Sequence, residues 1–410
     1  MGFGEIWAEL SSRPDFWGFV TIPITAAVVT WVHVWMAMQM VFYPVHFVGL
    51  LDPFLGWQGV VPRKARKMSN ILVDKTLSKI GTLSDFMRKM EPERISEHVA
   101  KAVSARIEDY VDDLMGEQSP VLWANLPRIV RNRVYNHARG QLSKVMGRMM
   151  DDIIDHAEDL VDVREMIGNQ VEADRSMVVR MFMEVGNKEL AFVIRASFWI
   201  GLAFGLLQMV LFYFVPAHWM LPAYAAILGF LTNWIALSMV FRPLKPMKIL
   251  GFRFQGVFLQ RQNEIADKFA ELAASEMLTI GRITREILVG RQSNKTRLII
   301  KKHLSPMLES PVIRTTLQLA MGPDGYAGLK SSIAEKSTTM ALDPLEDEAF
   351  NKDRARFLSR FLAERTRALT PEEFQDLLRP AFQEDEWIFF VLGAVTGFIA
   401  GSLQLALGFQ

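Results

Sequence analysis

The sequence contains no cysteine among its 410 residues. That excludes disulfides, thiolate zinc sites, iron–sulfur clusters and cysteine nucleophiles. Net charge is nearly absent too, at +1, which argues against a nucleic-acid partner held by bulk positive charge. Walker-type loops, Gly-x-Ser-x-Gly, His-Glu-x-x-His and Gly-x-Gly-x-x-Gly are all missing, so no familiar motif points to an enzyme or a cofactor. The most telling absence is local. No Asp, Glu, Lys or Arg occurs from Phe16 to Leu51, from Ala196 to Phe241, or from Trp387 to Gln410.

A helix needs about 20 apolar residues to cross a bilayer. The first and last uncharged runs hold one span each. The middle run holds two, broken at Val215-Pro216-Ala217-His218-Trp219 and Pro222. Four spans are therefore expected, at about 16–43, 192–215, 220–242 and 387–409. The N-terminus carries Glu5, Glu9, Arg13 and Asp15 before a long span, which reads as a retained segment rather than a cleaved signal. Basic residues follow the first span (Arg63, Lys64, Arg66, Lys67) and the third (Arg242, Lys245, Lys248, Arg253, Arg261). By the positive-inside rule these flanks are cytoplasmic, with both termini outside.

The chain also reads itself twice. Pro23-Ile24-Thr25-Ala26-Ala27, Met40-Val41-Phe42-Tyr43-Pro44 and Gln58-Gly59-Val60 return as Pro222-Ala223-Tyr224-Ala225-Ala226, Met239-Val240-Phe241-Arg242-Pro243 and Gln255-Gly256-Val257. The offset is 199 at the Pro and 197 at the Gln-Gly. Ser197, Gly201, Gly205 and Gln208 return as Gly393, Gly397, Gly401 and Gln404 at a constant 196. The repeats divide the chain at 1–215 and 216–410, each with a helical domain between its spans, at 60–190 and 255–385. Each contributes two spans, so the repeats enter the membrane from the same side and are parallel, which suits an alternating-access transporter less well than inverted repeats.

Between the spans the apolar period is helical. Ile95, Val99, Val103, Ile107, Val111 and Leu114 form one stripe, and Ile129, Val130, Val134, Leu142, Val145, Met149, Ile153 and Leu160 another. A third helix from Met177 to Ala191 runs into the second span. In the second half, Gln262–Leu278 and Phe357–Leu369 read as helices, Gly322-Pro323-Asp324-Gly325 as a turn, and 342–351 as an acidic loop. Thr370-Pro371-Glu372-Glu373 starts a helix with an N-cap and an N1 proline, and Arg379-Pro380 kinks the chain into the last span. No convincing period-2 segment is present. Such amphipathic helices pack on one another, on a partner, or on a membrane surface.

Polar residues inside spans are costly in hydrocarbon and face protein or a cavity. Here they are His33, Gln208, Thr232, Asn233 and Gln404, read either as interhelical glue or as a polar path. The small residues Ser197, Gly201, Gly205, Gly393, Gly397 and Gly401 let helix backbones approach closely. Among the seven histidines, only His156 has metal-like company: on a helix, Asp152, His156 and Asp159 would share a face, although acidic residues also cover ordinary solvated faces.

Thr232-Asn233-Trp234-Ile235-Ala236-Leu237-Ser238-Met239-Val240-Phe241-Arg242-Pro243, the Phe254-Gln255-Gly256 turn with Arg261, and the Gly-rich closings at Gly201–Gln208 and Gly397–Gln404 resemble the bacterial membrane-protein family called domain of unknown function 445 (YheB- and YjiN-like proteins). The first repeat departs from that signature, with Val34 for the Asn and Tyr43 for the Arg. The resemblance implies a fold and a location but almost no biochemistry.

The expected fold is all-α: an integral membrane protein with four transmembrane helices in two parallel repeats, each with a large helical extramembrane domain. The expected role is non-enzymatic, in the inner membrane, as an envelope scaffold or a lipid-handling module with membrane lipids as partners. Thr232, Asn233, Trp234, Arg242, Pro243, Gln255, Gly256 and Arg261 would fix the membrane junction, and Arg242 and Arg261 would meet lipid phosphates. The alternative is a homo-oligomeric channel or transporter with Asn233, Gln208 and Gln404 along its path.

Overall fold

The computed structural model of the chain describes residues 16–51, 55–215, 217, 219–249, 252–376, 379 and 386–408. The N-terminal tail, Pro216 and His218 of the expected break, Pro380 of the expected kink, and Gln410 lie outside the described residues.

The first half begins with α1 (Phe16–Phe42), a hairpin of β1 (Val48–Leu51) and β2 (Leu55–Trp57), and the one-turn α2 (Val60–Arg63). Next come α3 (Ala65–Leu72), which runs through a π-helical turn at Val73–Leu77, then α4 (Leu83–Lys89), α5 (Pro92–Ala105), α6 (Ile107–Gln118) and α7 (Pro120–Asn125). It closes with α8 (Arg128–Asp155), α9 (Ala157–Leu160), α10 (Val163–Ala173) and α11 (Ser176–Phe214). The second half starts in the same order: α12 (Met220–Phe241), a hairpin of β3 (Met247–Ile249) and β4 (Phe252–Phe254), α13 (Val257–Gln260), and α14 (Gln262–Leu272) with a π turn at Ala273–Met277. After these come α15 (Ile280–Val289), α16 (Ser293–Leu308), α17 (Pro311–Leu342), α18 (Glu348–Arg367), α19 (Pro371–Gln375) and α20 (Glu386–Gly408).

The chain is predominantly helical among the described residues. Four of its helices, α1, α11, α12 and α20, are long and apolar enough to cross a bilayer, as the uncharged runs require. The second span is the apolar second half of the 39-residue α11. Capping follows the sequence at Thr370, whose hydroxyl accepts from the Glu373 amide while the Glu373 carboxylate accepts from the Thr370 amide. Thr82 and Asp85 form the same box at the start of α4. Ser119 occupies the N-cap position of α7 without a side-chain cap bond.

Several expectations need correction. The fold is not purely α, because each half carries a short antiparallel hairpin. The Gly322–Gly325 segment is a sharp kink inside α17, made at Gly322 with φ 73°, a left-handed backbone that glycine adopts without a Cβ penalty. The acidic 342–351 loop is a 3-10 turn, Asp343–Glu346, leading into α18. Ile129 sits at the start of α8 and is exposed rather than part of the buried stripe.

The chain forms two compact units, and they do not follow the halves 1–215 and 216–410. The membrane unit comprises Met1–Thr76, Val171–Ile265 and Ala368–Gln410; the helical unit comprises Leu77–Gln170 and Ala266–Arg367. The middle parts of the expected helical domains, 77–170 and 266–367, thus build one body, while their ends belong to the membrane unit. The physical reason is shared burial. Leu114, Met115, Trp123, Val134 and Tyr135 of the first half pack with Ile313, Leu317, Tyr326 and Leu329 of the second in one core. Each stripe covers the other's apolar surface, worth about 25 cal/mol per Å² removed from water.

In the membrane unit the spans pair as α1 with α11 and α12 with α20. A Cβ on Gly205 would fall 2.6 Å from Pro23 Cα and 2.8 Å from Ala26 Cβ. One on Gly401 would fall 2.8 Å from Pro222 Cα and 2.9 Å from Ala225 Cβ. The repeated residues therefore make the repeated contact. Gly201 lies against Thr30 and Ala26, Gly397 against Ala225, and Gly393 against Gly229. Ser197 is fully buried, its hydroxyl donating to Ile194 O at 2.7 Å.

Candidate functional site

The junction motif has a defined geometry, made twice. The Tyr43–Pro44 and Arg242–Pro243 peptides are cis. The Gly59 amide donates to Pro44 O at 3.0 Å and Gln58 Nε2 to Val45 O at 2.8 Å. In the second half the Gly256 amide donates to Pro243 O at 3.0 Å and Gln255 Nε2 to Leu244 O at 3.1 Å. The glycine is needed because the strand leaving the hairpin presses on the end of the span. A Cβ on Gly59 would lie 2.7 Å from Phe42 C, and one on Gly256 would lie 2.8 Å from Phe241 C. Each Gln-Gly thus clamps the base of a hairpin onto the last turn of a span.

Of the other junction residues, Trp234 is half-exposed on its span and Arg242 is exposed. The Arg261 guanidinium pairs with Glu189 and with Glu264, the latter at 2.6 Å, and Lys188 adds a 2.6 Å contact to Glu264. Arg261 and Lys188 hold the Glu264 carboxyl down to about 2, well below the usual carboxylate range. Two carboxylates therefore already satisfy Arg261, which weakens its expected contact with lipid phosphate.

Inside the span bundle the polar residues converge. Asn233 Nδ2 donates to His33 Nε2 at 2.8 Å and to Phe389 O at 2.6 Å. Because Nε2 accepts, His33 carries its proton on Nδ1, which lies 2.9 Å from Thr396 Oγ1. The Thr396 hydroxyl in turn donates to Leu392 O at 2.9 Å. One network joins α1, α12 and α20. Thr232 Oγ1 donates back to Leu228 O at 2.8 Å. Gln208 Nε2 reaches Leu221 O at 3.4 Å, whereas Gln404 Nε2 is buried with no partner among the described residues. His33, Gln208, Thr232, Thr396 and Gln404 border a cavity of about 40 Å³, room for water with polar partners. The sequence reading missed Thr396; a threonine inside an uncharged span was its only signal.

The helical unit holds a different cavity, about 130 Å³ and almost wholly apolar. Ile107, Leu114, Leu142, Met146, Leu304 and Leu317 are among its walls, contributed by both halves of the chain. A second void of about 70 Å³ lies between Ile95, Met149, Ile283 and Ile300. The two share Met146 and Ser337. Tyr110, His137 and Lys336 also line the larger one, and Lys336 Nζ pairs with Glu117 at 2.6 Å.

Of the Asp152, His156 and Asp159 cluster, the structure brings the first two together, with His156 Nδ1 3.3 Å from Asp152 Oδ1. α8 ends at Asp155 and α9 restarts at Ala157, so the three side chains do not ride on one continuous helix. Asp152 accepts from Lys302 Nζ at 2.8 Å and lies 2.8 Å from His303 Nε2. Those two bonds depress its pKa. One oxygen of the Asp152 carboxylate is thus already engaged by the Lys302 ammonium and the His303 ring. Among the described residues no group of three or more His, Asp or Glu is placed to hold a metal.

No protein-family profile matches the chain, and no solved structure matches it. A stretch of 123 residues, 29% of the chain, is 28% identical to a UPF0754 membrane protein of Staphylococcus epidermidis strain ATCC 35984. The same match is found in strain ATCC 12228. The match spans 32% of the relative's length. The chain is thus similar, over about a third of each partner, to a protein whose name places it in a membrane.

Proposed function

We propose that this chain is a lipid-handling protein of the bacterial inner membrane, in which four spans anchor a helical unit that shelters acyl chains. The observation that carries this reading is the 130 Å³ apolar cavity with its 70 Å³ neighbour. At about 24 cal/mol per Å³, an empty cavity of the larger size costs about 3 kcal/mol. A ligand offsets that cost at about 0.8 kcal/mol for each methylene it buries. In this reading the two halves are parallel repeats, the basic flanks and the helical unit face the cytoplasm, and the protein carries out no chemistry. Resemblance to the domain of unknown function 445 family supports a bacterial membrane location.

The test compares the intact protein with Ala138→Phe, which places a ring among the cavity walls. After gentle extraction, bound phospholipid and fatty acid per chain are measured by mass spectrometry. Stoichiometric lipid in the parent and loss in Ala138→Phe is the expected result. A lipid-free parent that Ala138→Phe merely stabilises would leave a self-packed envelope scaffold instead.

The polar cavity between the spans favours a second reading, a homo-oligomeric channel or transporter. Asn233→Leu would then abolish ion or solute flux in proteoliposomes at unchanged membrane abundance. Unchanged flux removes this reading.

A further inference from the structure

Both strands of the β1–β2 hairpin are exposed along their whole length. Val48, Leu50, Leu51, Leu55 and Trp57 all show large apolar surface to the outside, with Leu50 at 91%. No charged residue occurs in either strand or in the stretch that joins β1 to α1. A two-stranded hairpin is at best marginal in water, and a contiguous apolar patch of this kind marks an interaction surface. Its location names the partner. Gln58 and Gly59 tie the hairpin to Val45 and Pro44, just beyond the end of α1, so it sits where that span leaves the bilayer.

We propose that the two hairpins are interfacial anchors, docked in the headgroup region of the leaflet at which α1 and α12 end. The occupant of the exposed apolar surface is lipid. Unpaired strand edges cannot enter hydrocarbon, because their N–H and C=O groups would lose all partners. The headgroup boundary gives those edges water and headgroup oxygens while covering the apolar side chains. Trp57 at the hairpin base suits the same level, as tryptophans do at membrane interfaces.

The second hairpin repeats the placement with different chemistry. It is clamped by Gln255 and Gly256, and its ladder sets Lys248 opposite Arg253. By sequence it carries the two basic residues Lys248 and Arg253, and anionic headgroups attract basic residues near the membrane surface. Hence the first hairpin is held by apolar burial and the second gains from anionic lipid. Neither anchor depends on what the helical unit holds.

The absence of cysteine from the chain makes the test direct. Leu50→Cys and Met247→Cys, both at exposed positions, are each labelled with an environment-sensitive fluorophore in the full chain. The proteins are reconstituted into vesicles of phosphatidylcholine and phosphatidylglycerol, with iodide on both sides. Relative to the free dye, both labels should be quenched about tenfold less by iodide and strongly quenched by lipids brominated near the headgroup, as shallow insertion requires. Removing phosphatidylglycerol should weaken the lipid quenching more at Met247 than at Leu50. Iodide quenching equal to that of the free dye would overturn the proposal. So would shielding from both quenchers, which would mean that protein, such as a second copy of the chain, covers the hairpins.

Discussion

In the membrane unit, Gly229 and Gly393 bring two span backbones so close that a methyl on either would overlap the other's carbonyl oxygen; in the helical unit, Gly140 and Gly147 meet nothing within 4 Å. Gly229 and Gly393 are thus packing requirements, whereas Gly140 and Gly147 are a mere loss of helix propensity. The contrast extends to the cavities. The span bundle sets several polar side chains among the small and apolar walls of its void and locks most of them by hydrogen bonds. The helical unit leaves a larger void lined by Leu, Ile, Val and Met. Within lipid, association rests on close backbone contact and polar bonds. In water, burial of apolar surface carries helix association, and imperfect packing is tolerated where it serves a ligand.

The largest effect expected from this contrast is at the glycines. Gly229→Leu should prevent α12 from meeting α20, and membrane-inserted protein should fall to a small fraction of normal in a quantitative blot. Gly147→Ala, on α8, should instead leave stability unchanged or raise it by up to about 1 kcal/mol. Equal losses in both variants would erase the distinction between the units. Next in size is Leu142→Ala, which enlarges the apolar cavity and should cost about 2–5 kcal/mol in chemical unfolding. Excess fatty acid should recover part of that loss if an acyl chain fills the space.

The spans were legible because charge is absent from them, and the glycine pairs because they recur at fixed offsets. The hairpins were not. A strand is recognised by alternation between a buried and a wet face, and Val48-Gly49-Leu50-Leu51 does not alternate because neither face is buried in protein. The common core of the helical unit was hidden for another reason. An apolar stripe such as Val103, Ile107 and Leu114 states that a partner exists but not which one, and here part of that partner is α17, about two hundred residues away. At the candidate sites, Asn233 and His33 were visible as polar residues in uncharged runs. Lys302, which pairs with Asp152 of the candidate metal cluster, carried no signal at all.

A smaller effect separates glue from pathway in the bundle. Asn233→Leu leaves His33 Nε2 and Phe389 O without their donor. Intramembrane hydrogen bonds average about 0.6 kcal/mol each, so a loss of about 1–2 kcal/mol is expected in detergent unfolding. His33→Leu should cost about the same, and the double variant should cost less than the sum, since both remove one network. Strict additivity would mean that the two side chains act independently.

The smallest expected effect is electrostatic and belongs to the helical unit alone. Lys302 and His303 on α16 hold the Asp152 carboxyl below its ordinary value. A carboxylate depressed in the folded state stabilises fully above its unfolded pKa of about 3.9, and that contribution disappears as pH falls through the folded value. Asp152→Asn should therefore cost about 1 kcal/mol near neutral pH. The difference between the two proteins should close as the pH is lowered from about 5 to about 2. A gap that stayed constant over that range would mean that Asp152 acts through hydrogen bonds its amide replacement cannot copy, and not through its charge on the Lys302 ammonium.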